Sequence, residues 1–150
     1  MREKLSQALK QALKDQNKRR VATLRLINAA IQDRDIALRG KGKDRAGDED
    51  ILDILGKMVR QREESSKLYH DAGRGDLEAQ ELEEIEIIRE FLPKPLSEEE
   101  TAGAIREAIA ETGAESLRDM GKVMGLIRDR YRGQIDMGKA GALIKAELGG

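Results

Sequence analysis

The apolar residues of this 150-residue chain recur at spacings of three and four along almost its whole length. Between residues 18 and 39 the spacing places one apolar set on a single face: Val21, Leu24, Ile27, Ala30 and Ile31. Such spacing is typical of an amphipathic α-helix, whereas a half-buried strand alternates strictly between apolar and polar residues. Strict alternation does not occur in the sequence, so the pattern predicts an all-α fold.

Residues that favour caps and turns divide the first half of the chain into helices. We predict a first helix at 3–14 and a second at 18–39, separated by Asp15-Gln16-Asn17. The glycine-rich, charged segment Gly40–Gly47 has no apolar face to bury, so we interpret it as a flexible basic loop, with contact to an anion as the alternative. Asp48 is then expected to cap the third helix.

The third helix is expected to end near Ala72, with Gly73 as a left-handed cap. Asp76 is expected to cap the fourth helix, which should stop before Pro93. The apolar positions of these two helices are Ile51, Leu55, Met58, Val59 and Leu68 in the third, and Leu77, Leu82, Ile85, Ile88, Phe91 and Leu92 in the fourth.

Pro93-Lys94-Pro95 is the strongest interruption in the sequence. Each proline lacks a backbone N–H and pushes the preceding residue towards extended conformations, so a helix does not readily cross this point. We therefore predict two domains, a four-helix N-terminal domain at 1–94 and a small three-helix C-terminal domain at 95–150.

Three further helices are expected after the prolines. Ser97-Glu98-Glu99-Glu100 has the pattern of a capping box, so a fifth helix should begin there and end near Gly113. A sixth helix is expected from about Ser116 until shortly before Gly133, and Asp136 is placed to cap the last one.

Composition favours a protein of thin amphipathic layers. Charged residues make up 38% of the chain, compared with about 25% in an average globular protein. Without cysteine there are no disulfides and no thiolate metal sites, which fits a reducing cytoplasm. The N-terminal residues suit a membrane-surface helix or, as we prefer, a helix packed in a bundle. We therefore expect a cytoplasmic protein with no signal peptide and no membrane partner.

Charge is unevenly distributed, although the net charge is only −1. Residues 1–47 hold 13 Lys and Arg against 5 Asp and Glu, whereas residues 48–100 hold 7 against 17. The basic segment can contact an anionic partner, or it can pair with the acidic segment when the helices pack. We prefer the second interpretation.

Residues suited to catalysis are scarce. His70 is the only histidine, and we expect it to be exposed near a helix end. Ser65, Ser66 and Lys67 are adjacent on one helix and point in different directions, which does not suit a Ser–Lys nucleophile. The glutamates of residues 78–90 lack the Glu-x-x-His motifs of di-metal bundles. We therefore predict no catalytic residue, no metal site and no cofactor.

The C-terminal third combines glycines with basic residues. Gly121 and Gly125 lie four apart in a predicted helix, where each costs about 1 kcal/mol relative to alanine. One explanation is close packing against another helix of the same domain. The other is that a nucleic-acid backbone approaches at the glycines while basic side chains meet its phosphates. The candidate residues for this second role are Gly121, Lys122, Gly125, Arg128, Arg130, Arg132 and Lys139.

Several segments together resemble the YqeY family and occur in that family's order. They are 20–31 (RVATLRLINAAI), 60–69, 72–77 (AGRGDL), Phe91-Leu92-Pro93 and 120–125 (MGKVMG), followed by Gly133, Asp136 and Gly138. Met137 departs from the pattern, because relatives often have Asp-Gly directly at this point. The resemblance implies a four-helix domain followed by a three-helix domain similar to the tail of the GatB amidotransferase subunit.

The resemblance also implies a connection with tRNA. In the amidotransferase the GatB tail contacts tRNA, and the family-level activity is that of a carbon–nitrogen ligase with glutamine as amido-N-donor. This chain has no phosphate-binding loop, no cysteine and no Ser–Lys centre, so we predict that it does not catalyse amidation alone. We predict a tRNA-binding or tRNA-metabolism accessory protein. The alternatives are a protein-interaction module that docks through its acidic fourth helix and an amidotransferase component that requires other subunits. The oligomeric state stays open.

Overall fold

In the computed structural model, which describes residues 1–149, the chain forms seven α-helices and a single 3₁₀ turn, with no strand among those residues. The helices are α1 (Arg2–Lys14), α2 (Lys18–Gly40), α3 (Asp48–Asp71), α4 (Gly75–Arg89), α5 (Glu98–Thr112), α6 (Met120–Tyr131) and α7 (Met137–Gly149), and the 3₁₀ turn is Leu117–Asp119. The all-α prediction is confirmed. None of the helices within 1–149 has the length and apolar character needed to cross a membrane.

The chain divides into two compact units, the first ending at Leu92 and the second beginning at Pro93. In the first unit, α1 packs on α2 and α3 packs on α4, while α2 contacts both α3 and α4. The core of this unit consists of aliphatic side chains and one ring: Leu5, Ala12, Leu24, Ile27, Ile31, Ile51, Ile54, Leu55, Met58, Val59, Ile85, Ile88 and Phe91. Full burial of each large side chain contributes about 1.5–3 kcal/mol.

Ion pairs connect the basic N-terminal segment to the acidic middle segment. Arg19 on α2 lies 3.5 Å from Glu83 and 3.8 Å from Glu84, both on α4. Arg20, one residue further on, pairs with Glu90. The preferred interpretation of the charge distribution is therefore confirmed for these residues.

Several predicted helix ends are confirmed. The side chain of Asn17 accepts a hydrogen bond from the backbone N–H of Arg20 (3.1 Å) and so caps α2. Gly73 follows α3 with φ +72°, a left-handed conformation in which glycine has no steric penalty. Ser97 and Glu100 form the predicted reciprocal capping box of α5, with N–O distances of 3.0 and 3.1 Å.

The predicted caps at Asp48 and Asp76 are wrong, because each helix begins earlier than expected. Asp48 is the first residue of α3, and the preceding backbone N–H, that of Gly47, donates to the Asp50 carboxylate (3.1 Å). α4 begins at Gly75, and Asp76 instead accepts two hydrogen bonds of 3.2 Å from Arg74.

Two predicted core residues, Leu68 and Leu82, are exposed, by 70% and 49%. On α3 the buried face continues through Ser66, and a residue two positions further on points about 200° away. On α4 the buried residues Glu84, Ile85 and Ile88 lie on a face that Leu82 does not share. The polar residues Ser66 and Glu84 therefore occupy buried positions that an apolar pattern does not reveal.

The loop after α2 is anchored at its far end, which corrects the interpretation of a wholly flexible loop. Ala46 is buried, and its backbone N–H donates to Asp35 on α2 (2.8 Å). Its carbonyl accepts from the guanidinium of Arg2 (2.8 Å). The sequence did not indicate this anchoring, because Ala46 contacts Asp35, 11 positions away, and Arg2, 44 positions away.

The second unit has its own core between α5, α6 and α7. Its buried residues are Ala104, Ile105, Ala108, Val123, Ile127, Ala140 and Ile144. The turn after α6 is tied to the segment before α5, since Gln134 exchanges hydrogen bonds with the backbone of Leu96 (3.0 Å) and Lys94 (3.1 Å). Asp136 accepts from the backbone N–H of Gly138 (3.0 Å), which confirms it as the cap of α7.

Candidate nucleic-acid interface

A hydrogen-bonded 3₁₀ turn leads directly into α6. The Asp119 carboxylate accepts from the backbone N–H groups of Glu115 (3.0 Å) and Ser116 (3.4 Å). These donors lower the pKa of Asp119, and the positive charge of Lys122 lowers it further. Sequence reasoning missed this role, although Ser116 and Asp119 have the spacing of a capping box.

Four of the seven candidate residues lie on the outward side of α6. Val123 and Ile127 are fully buried and define the inner face. Gly121, Gly125 and Arg128 follow one another at spacings of four and three, which aligns them along the helix on another side. The exposed Lys122 lies beside them. We call Gly121, Lys122, Gly125 and Arg128 the α6 strip.

The two glycines of the α6 strip are not required by packing within the unit. A Cβ atom added at Gly121 or Gly125 would meet no atom within 4 Å. Close packing against a neighbouring helix is therefore the wrong explanation for them. α7 approaches α6 elsewhere, at Gly141, where a Cβ atom would lie 3.6 Å from the methyl carbon of Met120.

Arg130 does not belong to the α6 strip. It follows Arg128 by two residues, or about 200° around the helix. Its guanidinium lies 2.5 Å from the Glu111 carboxylate on α5 and lowers the pKa of that carboxyl. Its positive charge is therefore already balanced within the unit.

The last two candidates lie outside α6. Arg132 follows the end of α6, its side chain is only 17% exposed, and its guanidinium lies 4.0 Å from Asp129. Lys139 is exposed on α7, next to the buried Ala140. Gly121, Lys122, Gly125 and Arg128 thus lie along α6, whereas Arg130 lies on another side of that helix, Arg132 follows its end and Lys139 is on α7.

Outside α6, the residues considered for other chemistry have local roles. His70 is exposed in the last turn of α3, as expected, with Nδ1 3.0 Å from Glu78. Ser66 donates its hydroxyl to the carbonyl of Glu63 (2.8 Å). Within residues 1–149, His, Asp and Glu side chains do not form a group of three that could hold a metal ion.

Comparison with known proteins identifies relatives. The chain is 27% identical over 124 residues to "Altered inheritance of mitochondria protein 41, mitochondrial" of Saccharomyces cerevisiae, for example in strains YJM789, Lalvin EC1118 and S288c. The alignments cover 79% of this chain and 65% of each yeast protein, so the chain spans less than two thirds of the length of these relatives.

A family model covers much more of the chain. The model described as "Yqey-like protein" matches residues 2–148. This match confirms the resemblance suggested by the sequence motifs, including the 120–125 segment that carries part of the α6 strip. The chain therefore belongs to the YqeY family.

Proposed function

We propose that this protein binds tRNA and acts as an accessory protein in tRNA metabolism, with the α6 strip as its contact surface. One observation carries the proposal: α6 contains two glycines that its own packing does not require, next to two exposed cations. The resemblance of the second half of the chain to the GatB tail supports tRNA as the ligand.

The chemistry of the α6 strip suits a sugar–phosphate backbone. Without side chains at Gly121 and Gly125, a backbone can come close to the helix surface, where Lys122 and Arg128 meet its phosphates. Tyr131 is the only aromatic residue of the second unit and is half-buried, which leaves little surface for stacking bases. Recognition would depend on the shape and backbone of the RNA.

The two units of the chain would have different roles. The four helices before Pro93 and the three after it would be separate domains, and tRNA contact would belong to the second. Glutamine-dependent amide formation would require other subunits, because it needs ATP activation of a carboxylate and a nucleophile to release ammonia. We place this work in the cytoplasm, as composition suggests.

The test is a salt series of tRNA binding. Purified, nuclease-treated protein is titrated into labelled bulk tRNA between about 50 and 200 mM salt, a range over which phosphate contacts weaken strongly. The double variant Lys122→Ala with Arg128→Ala should bind more weakly, and its log–log salt slope should be smaller by about one for each lost phosphate contact.

A matched control removes the same charge elsewhere in the unit. Arg106 on α5 and Lys145 on α7 are both exposed, and replacing both with alanine lowers the net charge equally. The control should retain the affinity of the wild type. Absence of binding by the wild type at low salt, or equal losses in the two double variants, would refute the α6 strip as the contact surface.

The alternative of a docking module acting through α4 is less well supported. Glu83 and Glu84 lie near Arg19, and Glu90 pairs with Arg20. These carboxylates therefore already balance charges of the same unit, which leaves less negative charge for a partner enzyme.

A further inference from the structure

The outer face of α2 has an unusual composition. Ala22, Arg25, Ala29, Asp33 and Ile36 follow one another at spacings of three and four and are all exposed. The buried residues of α2, which include Leu24, Ile27 and Ile31, lie on the other side of the helix. A bundle helix normally has a polar outer face, yet Ile36 is 65% exposed and the nearby Leu26 is 48% exposed. We call Ala22, Arg25, Ala29, Asp33 and Ile36 the α2 outer face.

The charges of the α2 outer face differ from the other charges of the helix. Arg19 pairs with a carboxylate of α4, Arg34 with one of α3, and Arg20 with Glu90, which directly follows α4. Arg25 and Asp33, by contrast, make no ion pair with any residue in the described part of the chain. One cation and one anion therefore remain exposed on the same face.

A shallow groove lies beside this face at the corner between α1 and α2. It is lined by Leu13, Gln16, Lys18, Val21, Ala22 and Arg25. Leu13, at the end of α1, is itself 48% exposed. The groove thus offers apolar surface next to the small side chain of Ala22.

We propose that the α2 outer face binds a second copy of this chain, with the two α2 helices antiparallel and a two-fold axis passing beside Ala29. In this arrangement Ile36 of each copy enters the groove beside Ala22 of the other. Arg25 of each copy faces Asp33 of the other. Every contact occurs twice, as a two-fold interface requires.

The register follows from the positions of these residues. Ala22 and Ile36 lie seven residues on either side of Ala29, and Arg25 and Asp33 lie four on either side. An antiparallel two-fold axis at Ala29 therefore opposes a small residue to a large one and a cation to an anion. Ala29 is also near the midpoint of α2, which spans Lys18–Gly40. Because its side chain is small, the two helices can approach closely at the axis.

The charges favour the antiparallel arrangement of the two α2 helices over a parallel one. A parallel pair would bring Arg25 against Arg25 and Asp33 against Asp33, and like charges directly opposed are unfavourable. The net charge of −1 causes little long-range repulsion between copies.

A single helix pair and two grooves form a small contact, and contacts below about 1,200 Å² are typical of weak complexes. The expected dimer is therefore concentration-dependent.

Sedimentation equilibrium of the full chain between about 10 and 500 μM tests the proposal, a range chosen for a weak complex. The wild type should shift from monomer towards dimer as concentration rises. Arg25→Asp and Asp33→Arg should each weaken the dimer about tenfold, because two opposed pairs become repulsive. The double variant carrying both changes should regain most of the wild-type association, since the exchanged charges again attract.

An apolar pair of variants tests the groove. Ile36→Lys should abolish dimerisation, whereas Leu68→Lys, at a similarly exposed leucine on α3, should leave it intact. All substituted side chains are exposed, and circular dichroism checks that each variant remains folded. A wild type that stays monomeric to 500 μM would overturn the proposal. So would a dimer that survives Ile36→Lys, or a double charge variant that fails to recover.

Discussion

The guanidinium of Arg2 holds the carboxylate of Asp35 through two hydrogen bonds, with Nη1–Oδ2 3.0 Å and Nη2–Oδ1 2.7 Å. The same guanidinium donates to the carbonyl of Ala46, whose N–H donates to Asp35. These contacts hold together three segments that are distant in sequence: the start of α1, the C-terminal part of α2 and the end of the following loop. The loop then leads into α3, which packs in the core of the first unit.

Acid should loosen this arrangement. The hydrogen bonds from Arg2, and then that from Ala46, lower the pKa of Asp35 below its ordinary value of 3.8. A carboxyl with a lowered native pKa stabilises the fold at a pH above its unfolded pKa, and this contribution disappears as the pH falls through the native pKa. We expect Asp35→Asn to be less stable than the wild type at pH 7, with the difference shrinking below about pH 4.

Urea unfolding at a series of pH values measures this difference. Asp44→Asn, at an exposed residue of the loop after α2, serves as the control and should follow the wild-type curve. A constant gap between Asp35→Asn and the wild type down to pH 2 would contradict the role assigned to the Asp35 charge.

The buried pair Arg62–Glu84 should matter more than an exposed pair of similar geometry. Nε of Arg62 lies 2.9 Å from Glu84, and the two side chains are only 14% and 12% exposed. Glu84→Ala leaves this largely buried guanidinium without its carboxylate, and the loss should approach the roughly 3–5 kcal/mol typical of a fully buried pair. Glu63→Ala breaks the more exposed pair with Arg89 (2.8 Å) and should cost less than about 1 kcal/mol. Chemical denaturation compares the two variants, and equal losses would show that burial does not decide the effect.

Alanine at the α6 glycines should stabilise the protein. Gly121 and Gly125 lie within a helix, and an added Cβ would meet no atom within 4 Å. Each replacement by alanine should raise the free energy of unfolding by about 1 kcal/mol or somewhat less. Gly133→Ala should have the opposite effect, because Gly133 has φ +80°, which alanine adopts at a cost. Thermal unfolding would contradict this explanation if Gly121→Ala lowered the midpoint.

The sequence predicted local features of the fold better than distant contacts. Helix periodicity and caps such as Ser97 depend on neighbours within one turn, so their chemistry is visible in the sequence. Leu68 and Leu82 were misplaced because an apolar side chain does not show which side of its helix faces the core. The Arg2–Asp35–Ala46 arrangement joins residues 33 and 44 positions apart, and single-sequence patterns do not report such pairings.

The candidate site was predicted only in part for a similar reason. Glycine spacing and basic residues were visible in the sequence and directed attention to α6. Sequence did not show that Arg130 is balanced by Glu111, 19 positions away on α5, or that the Arg132 side chain is largely buried. It also did not show that Gly121 and Gly125 face open space. The open space at these two glycines shows that this side of α6 is available to a partner and is not a packing contact.

The tRNA affinity of Gly121→Leu, compared with that of Gly103→Leu, tests the central claim most directly. Both glycines are exposed within helices, and both have open space where a Cβ would lie, but only Gly121 belongs to the α6 strip. Neither substitution changes a charge. If RNA approaches the strip closely, Gly121→Leu should raise the Kd for tRNA about tenfold, or about 1.4 kcal/mol, while Gly103→Leu keeps the wild-type value. Equal affinities for the two variants would contradict the account.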